Sequence, residues 1–338
     1  MNVLFLHPNQ QDYLSESLFH GLRTLLGKNC VDAPRYDCMY APLPKALKAK
    51  LRGNGFTLYG LLEDIPELAA ERHFWQQKLL TYDLIIVANI WAQWRLVQEL
   101  LSHREPYKLA VLDGQDAPAI FPYALHLKNQ PWAYLFPIKR LTYFKRELMG
   151  CGLSYKLEYV LPRFLRNNML PPKNVKPIAF SIPEEKIAPM SKMARMQTFP
   201  THIVDEEVSA HNDNSLFSAV GSDKQLFADE ASYYNDLSKS RFGVTTKRAG
   251  WDCLRHYELA ANGCVLCFRD LDRKPKSCAP HGLDDTNSIV YHSYEELHSQ
   301  ISALSEDKFS ALQINTEVWI RRNTTIVRAQ EFLEQCGF

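Results

Sequence analysis

Two cations, Lys247 and Arg248, sit in the polar stretch Thr246–Gly250, just after a short apolar run and just before an amphipathic one that carries Arg255 and Glu258. Cations at the mouth of a helix, where backbone N–H groups lack partners, suit an anionic ligand. Other reactive residue types stand at strand ends. Asp113-Gly-Gln-Asp116 closes the apolar run Lys108–Leu112, and either carboxylate could act as a general base if its surroundings raised its pKa. His7 follows the first apolar run and is the other base candidate, with a structural histidine as the plainer reading. Asp270-Leu-Asp272 could hold Mg²⁺ or Mn²⁺, although Arg269, Arg273 and Lys274 neutralise it and a charged loop accounts for it as well. Lys145-Arg146-Glu147 reads either as a surface charge cluster or as part of the same cleft. Cys264 and Cys267 have C-x-x-C spacing inside a strand, where residues that far apart face opposite ways, so they read as core.

The elements around these residues alternate. Around the cations the pattern predicts a strand over 241–245, a loop over 246–250, a helix over 251–262 stopped by Gly263, and a strand over 264–268. That is a βαβ unit with its loop at the carboxyl end of the first strand, where open α/β sheets bind ligands. Upstream, strands are expected at 3–6, 83–88 and 108–112, with helices near 13–26 and 93–102, and a mostly helical pattern at 54–77. Downstream, 198–204 reads as a strand, 224–238 as a helix and 288–291 as a strand. A capping box at Ser293 and Glu296 opens a further helix, and 317–335 reads as one continuous helix. Such alternation implies a parallel sheet covered on both faces.

Glu258-Leu-Ala-Ala-Asn-Gly263-Cys-Val-Leu resembles the E-A-x-A-x-G-x-P-V segment of nucleotide-sugar glycosyltransferases with the GT-B fold. Tyr234-x-x-x-Leu-x-x-Ser-x-Phe and Gly250-Trp-Asp-x-x-Arg255-x-Tyr-Glu258 are similar to the exostosin-like and spore-maturation (CgeB-like) groups. The resemblance implies that Glu258 hydrogen-bonds the donor ribose, since a carboxylate accepts from two neighbouring hydroxyls. It places Arg248, Lys247 and Arg255 near the donor diphosphate, whose leaving charge must be stabilised. Gly250 and Trp251 share that donor loop, and Trp251 could stack on a base or sugar as well as pack. Retaining relatives carry another Glu eight residues before the first, where this chain has Gly250, so a retaining mechanism is not implied. The implied reaction is metal-independent sugar transfer from a nucleotide-sugar to a glycan or other acceptor hydroxyl, without a cofactor. The alternatives are a degenerate relative that binds a nucleotide, glycan or protein without turnover, and a metal-dependent transferase using Asp270 and Asp272.

The chain of 338 residues, 46% hydrophobic and 23% charged, has the composition of a globular protein long enough for two domains. Lys+Arg 39 against Asp+Glu 38 leaves no basic excess, which argues against a nucleic-acid partner. No apolar run approaches a membrane span, no signal peptide is evident, and scattered cysteines suit reduced thiols, so a cytoplasmic location is expected. Pro162, Pro171, Pro172, Pro177, Pro183 and Pro189 mark an interdomain crossing. The expected layout is two Rossmann-like domains with a central cleft. Residues 1–170 form the acceptor side and 171–316 the donor side, and 317–338 form a terminal helix that packs back on the first domain.

Overall fold

The structure, a computed structural model, describes residues 1–103, 108–122, 137, 140–149, 173–189, 195–212, 215–217 and 226–338. Pro162, Pro171, Pro172, Cys151 and the first residues of the helix expected at 224–238 lie outside them.

The N-terminal half is built from β1 (Val3–Leu6), α1 (Tyr13–Leu26), β2 (Cys30–Ala33), α2 (Lys45–Lys48), α3 (Leu68–His73), β3 (Leu84–Val87), α4 (Ile90–Ser102), β4 (Lys108–Asp113), β5 (Thr142–Lys145) and β6 (Val175–Pro177). All its strand pairs are parallel, in the order β2-β1-β3-β4-β5-β6. β1 and β3 are buried along their whole length, as strands covered on both faces must be. The order reverses at β1, so the carboxyl ends of β1 and β3 diverge and open a crevice.

The C-terminal half contains β7 (His202–Ile203), α5 (Glu206–Ala210), β8 (Leu216–Phe217), α6 (Glu230–Ser238), β9 (Phe242–Thr245), α7 (Leu254–Ala261), β10 (Val265–Arg269), β11 (Ser288–Tyr291), α8 (Tyr294–Ser302), α9 (Glu306–Arg321) and α10 (Thr325–Gln335). β9, β10 and β11 form a parallel sheet with β10 at its centre. α7 ends at Gly263, whose φ of +75° needs a glycine. α8 opens as the capping pattern requires, with Ser293 Oγ accepting from Glu296 N at 3.3 Å.

Several expectations change. The 54–77 segment is not a long helix, because Gly53, Asn54, Gly55, Thr57 and Gly60 all adopt positive φ, which leaves α3 and a 3-10 stretch at Trp75–Thr81 as its longer helical pieces. The 317–335 helix is broken at residues 322–324, where Asn323 and Thr324 leave the helix and Thr324 caps α10 by accepting from Val327 N. The break lets α10 turn onto the N-terminal half. There His20 bonds Thr325 Oγ1 at 2.9 Å, Phe332 packs on Phe144 with ring centroids 4.3 Å apart, and Lys108 Nζ donates to the Cys336 carbonyl at 2.9 Å. The strand expected at 198–204 shrinks to β7, and β2, β5 and β6 are strands that the hydrophobic pattern did not announce.

α1 begins at Asp12, whose side chain accepts from Leu14 N at 3.1 Å and from Ser15 Oγ at 2.6 Å. Glu16 points into the core, where Tyr59 donates to its Oε2 at 2.8 Å, and burial pushes its carboxyl up from 4.5 to about 8. A raised acid stabilises the fold fully below its unfolded pKa of 4.5, and that stabilisation is lost as pH rises through about 8. Thermal unfolding should therefore show a melting temperature that declines across this window. Glu16→Gln should flatten the decline and leave the variant more stable than wild type at the alkaline end, by about 1 kcal/mol or more.

Candidate active site

A cleft of about 920 Å³ lies between the halves. Its walls come mostly from the carboxyl ends of strands: Gln10–Tyr13 after β1, Asn89 after β3, Gly114–Asp116 after β4, Arg146 after β5, and Arg248–Gly250, Asp252–Arg255 and Glu258 after β9, with His202 from the start of β7. Residues 49–54 and Phe56 close one side.

The loop after β9 is held rigid from within. His256 Nε2–H donates to the Trp251 carbonyl at 2.8 Å, so its Nδ1 accepts from Thr245 Oγ1 at 2.7 Å, and burial lowers this ring to about 4. The helix expected from Trp251 starts only at Leu254. Cys253 is extended (φ −144°, ψ 137°) and the His256 ring takes the Trp251 carbonyl that a helical turn would use, while Glu147 accepts from the Trp251 and Asp252 N–H groups at 3.1 and 3.0 Å. Cys253 gives α7 no side-chain cap, so the positive end of the helix faces the cleft.

Arg248 and Arg255 both line the cleft with His202. Arg255 Nη2 donates to His202 Nδ1 at 2.6 Å, and the ring stays neutral because burial, then Arg255 and Arg248, lower it to about 2. Among the described residues, the buried Arg255 Nη1 has no hydrogen-bond partner. Burial, together with Arg255, also lowers Arg248. Two guanidinium groups beside a neutral histidine, at a helix N-terminus, offer positive charge and N–H donors of the kind that suit an anion. Glu258 lies one turn further along α7, reaches the cleft, and accepts from Thr57 Oγ1 at 2.5 Å and Tyr233 OH at 2.7 Å.

Other candidates are placed differently. Lys247 is exposed, stands 5.7 Å over the Trp251 ring and is not in the cleft lining. Trp251 is 3% exposed, so it packs and offers no stacking face. His7 is buried against Tyr36, with ring centroids 3.7 Å apart, and its Nε2 donates to the Pro34 carbonyl at 2.7 Å, outside the cleft lining. Asp113 is fully buried, paired with Lys145 Nζ at 3.0 Å and accepting from Tyr143 OH at 2.5 Å. Neither His7 nor Asp113 therefore opens onto the cleft. Asp116 does: its carboxylate is 52% exposed, lines the cleft and pairs with Arg146. Asp270 is occupied by His292 Nδ1 at 2.8 Å and Arg273 at 3.1 Å, and neither it nor Asp272 lines the cleft.

The sequence reading missed Asp12, a cleft carboxyl raised by burial, and His202, and it undervalued Lys145-Arg146-Glu147, all of which are buried. Asp12 carried a legible signal, as an N-cap two residues before the first apolar position of α1. His202 carried none. Glu147 also explains Gly250, since a Cβ there would lie 2.7 Å from Glu147 Cδ and 3.0 Å from Asp116 Oδ1.

No family model and no curated protein matches this chain by sequence. Solved structures do match its fold. HepE from Anabaena, in complex with UDP, is 13% identical over 99% of each chain with a TM-score of 0.54. The same protein with UDP-glucose gives 12% identity, 99% of this chain, 98% of that chain and a TM-score of 0.52. A glycosyltransferase from Rickettsia africae gives 10% identity, 99% and 97% coverage and a TM-score of 0.57. The fold is thus the GT-B arrangement, two Rossmann-like halves around a central cleft. Among the described residues, no helix is long and apolar enough to cross a membrane.

Gly250→Ala should force the Glu147 carboxylate off the Trp251 and Asp252 N–H groups. Calorimetry should show a destabilisation of about 1–3 kcal/mol, as overpacking of a tight site costs. Ala249→Gly, one residue away and exposed, should cost well below 1 kcal/mol.

Proposed function

We propose that the chain transfers a sugar from a nucleotide-sugar donor to an acceptor hydroxyl, as a member of the exostosin-like or CgeB-like branch of GT-B enzymes. The observation that carries this reading is the buried, unpartnered Nη1 of Arg255, beside Arg248 at the uncapped start of α7. It is supported by the shared fold of HepE, which has been seen with UDP and UDP-glucose.

In this reading the donor lies along α7. Its ribose meets Glu258, and its diphosphate lies between Arg255, Arg248 and the helix N-terminus. The acceptor enters over the ends of β1 and β4. Asp116 takes the proton of the acceptor hydroxyl as that oxygen bonds to the anomeric carbon. The bond from that carbon to the diphosphate breaks, and the departing negative charge settles on the two guanidinium groups. Arg146 holds Asp116 in place. The arginines supply charge at the leaving group, so no metal or cofactor is required there. Residues 1–170 and 171–316 are the acceptor and donor domains of this scheme, and 317–338 tie the two together.

A thermal-shift panel of UDP, GDP, CMP, ADP and dTDP tests the donor half of this reading. One nucleotide should stabilise wild type, Arg255→Leu should abolish the shift, and EDTA should leave it unchanged. If no nucleotide stabilises the protein at millimolar concentration, the reading fails. With the donor so identified, Asp116→Asn should retain the shift but lower turnover by about 10²–10⁴-fold. Asp12→Asn, which keeps the helix cap, should keep most of the activity.

A further inference from the structure

Glu258 enters the cleft with its carboxylate held from two sides. Tyr233 in α6 donates to Oε2 at 2.7 Å, and Thr57, from the opposite half, donates to Oε1 at 2.5 Å. The Thr57 hydroxyl has one proton, spent on Glu258, so Tyr234 is the donor in the 2.9 Å bond between Tyr234 OH and Thr57 Oγ1. The Thr57 N–H donates to Glu230 Oε1 at 2.6 Å, and Lys186 Nζ holds the same oxygen at 2.9 Å. Thr57 is 1% exposed and has a φ of +67°. A β-branched residue there is a genuine outlier, and such backbone persists only where its surroundings over-determine it, which is common at ligand sites. Here the surroundings are hydrogen bonds to the other half of the protein.

Each carboxylate oxygen has two acceptor directions. Thr57 and Tyr233 use one on each oxygen, which leaves one on each for a ligand. Two free acceptors side by side match two neighbouring hydroxyls. We propose that Thr57 is a positioning residue: its hydroxyl sets the Glu258 carboxylate so that Glu258 reads the 2′,3′-diol of a ribonucleotide. The acceptor-side half thereby takes part in choosing a ribose over a deoxyribose. This inference rests on the donor reading of Glu258 above.

The experiment measures the affinities of UDP, GDP and ADP and of their 2′-deoxy counterparts by calorimetry, on the full chain. Wild type should bind one ribonucleoside diphosphate about tenfold or more tighter than its 2′-deoxy form. Thr57→Val, which removes the hydroxyl at constant shape, should bring that ratio within about twofold, mainly by weakening the ribonucleotide. Thr57→Ser should restore the ratio. Thr57→Gly relaxes the backbone without returning the hydroxyl and should still lack discrimination, so a folding defect in the valine variant does not blur the result. If the valine or glycine variant keeps the wild-type ratio, or weakens both nucleotides equally, Thr57 has only a structural role and the proposal falls while the donor reading stands. If wild type binds no ribonucleoside diphosphate, the donor reading falls and takes the proposal with it.

Discussion

Burying an ion pair costs more than its attraction returns unless the remaining donors and acceptors are also satisfied. Arg146 and Glu147 meet that condition by reaching across the cleft. Arg146 donates to Glu147 at 2.8 Å, to the Gly114 carbonyl at 3.2 and 3.1 Å, and to the Asp252 carbonyl at 2.8 Å, and it also pairs with Asp116. Glu147 accepts from Trp251 N, Asp252 N and Cys278 Sγ. The end of one half's sheet is thereby fastened to the first residues after the other half's loop. Remove either partner and the other is left as a buried, unmatched charge, which is the expensive outcome.

Much of the cleft's shape follows from that fastening. Glu147 holds the Trp251 and Asp252 N–H groups just before Cys253, which is extended, and the helix starts at Leu254 with its positive end toward the cleft. The Asp252 carboxylate is buried, accepting from Phe180 N at 2.8 Å and Tyr257 OH at 2.9 Å, and burial raises it to about 6. The loop between β9 and α7 must pass close under Glu147 and Asp116, and only glycine at 250 allows it. Asp116 is aimed by the same arginine, so the floor of the cleft and its exposed carboxylate share one support.

On the other wall, among the described residues, the cation pair is left without a carboxylate at Arg255, and the acidic group of α7 that reaches the cleft is engaged by hydroxyls. Under the proposed reading, anion-binding and hydroxyl-binding surfaces lie side by side along a single short helix. A nucleoside diphosphate presents those two chemistries in the same sequence. Contacts from Thr57 and Asn54, which bonds the Phe227 carbonyl at 3.1 Å, add a second tie between the halves next to that helix.

The local elements were largely legible. β1, β3, β9, β10 and β11 are apolar runs bounded by charge or glycine, and α1 and α7 show the 3.6 period, so periodicity alone found them. The cationic character of the loop before α7 was also readable, because it depends only on residue types next to a strand end and a helix start. Periodicity cannot see β2, β5 and β6, whose residues include Asp32, Lys145 and Lys176 and whose burial depends on pairing across the sheet. Nor can it see which carboxylate faces the cleft. Asp113 and Asp116 stand three residues apart, yet one is sealed by Lys145 and Tyr143 while the other is 52% exposed, and partners distant in sequence make that difference. What the sequence determined by itself was the alternation of the apolar strands with helices and the residue types of one loop, since both depend on near neighbours. The tertiary structure alone decided which side chains meet across the cleft, because Arg146, Thr57 and His202 acquire their partners only when segments far apart in the chain pack together.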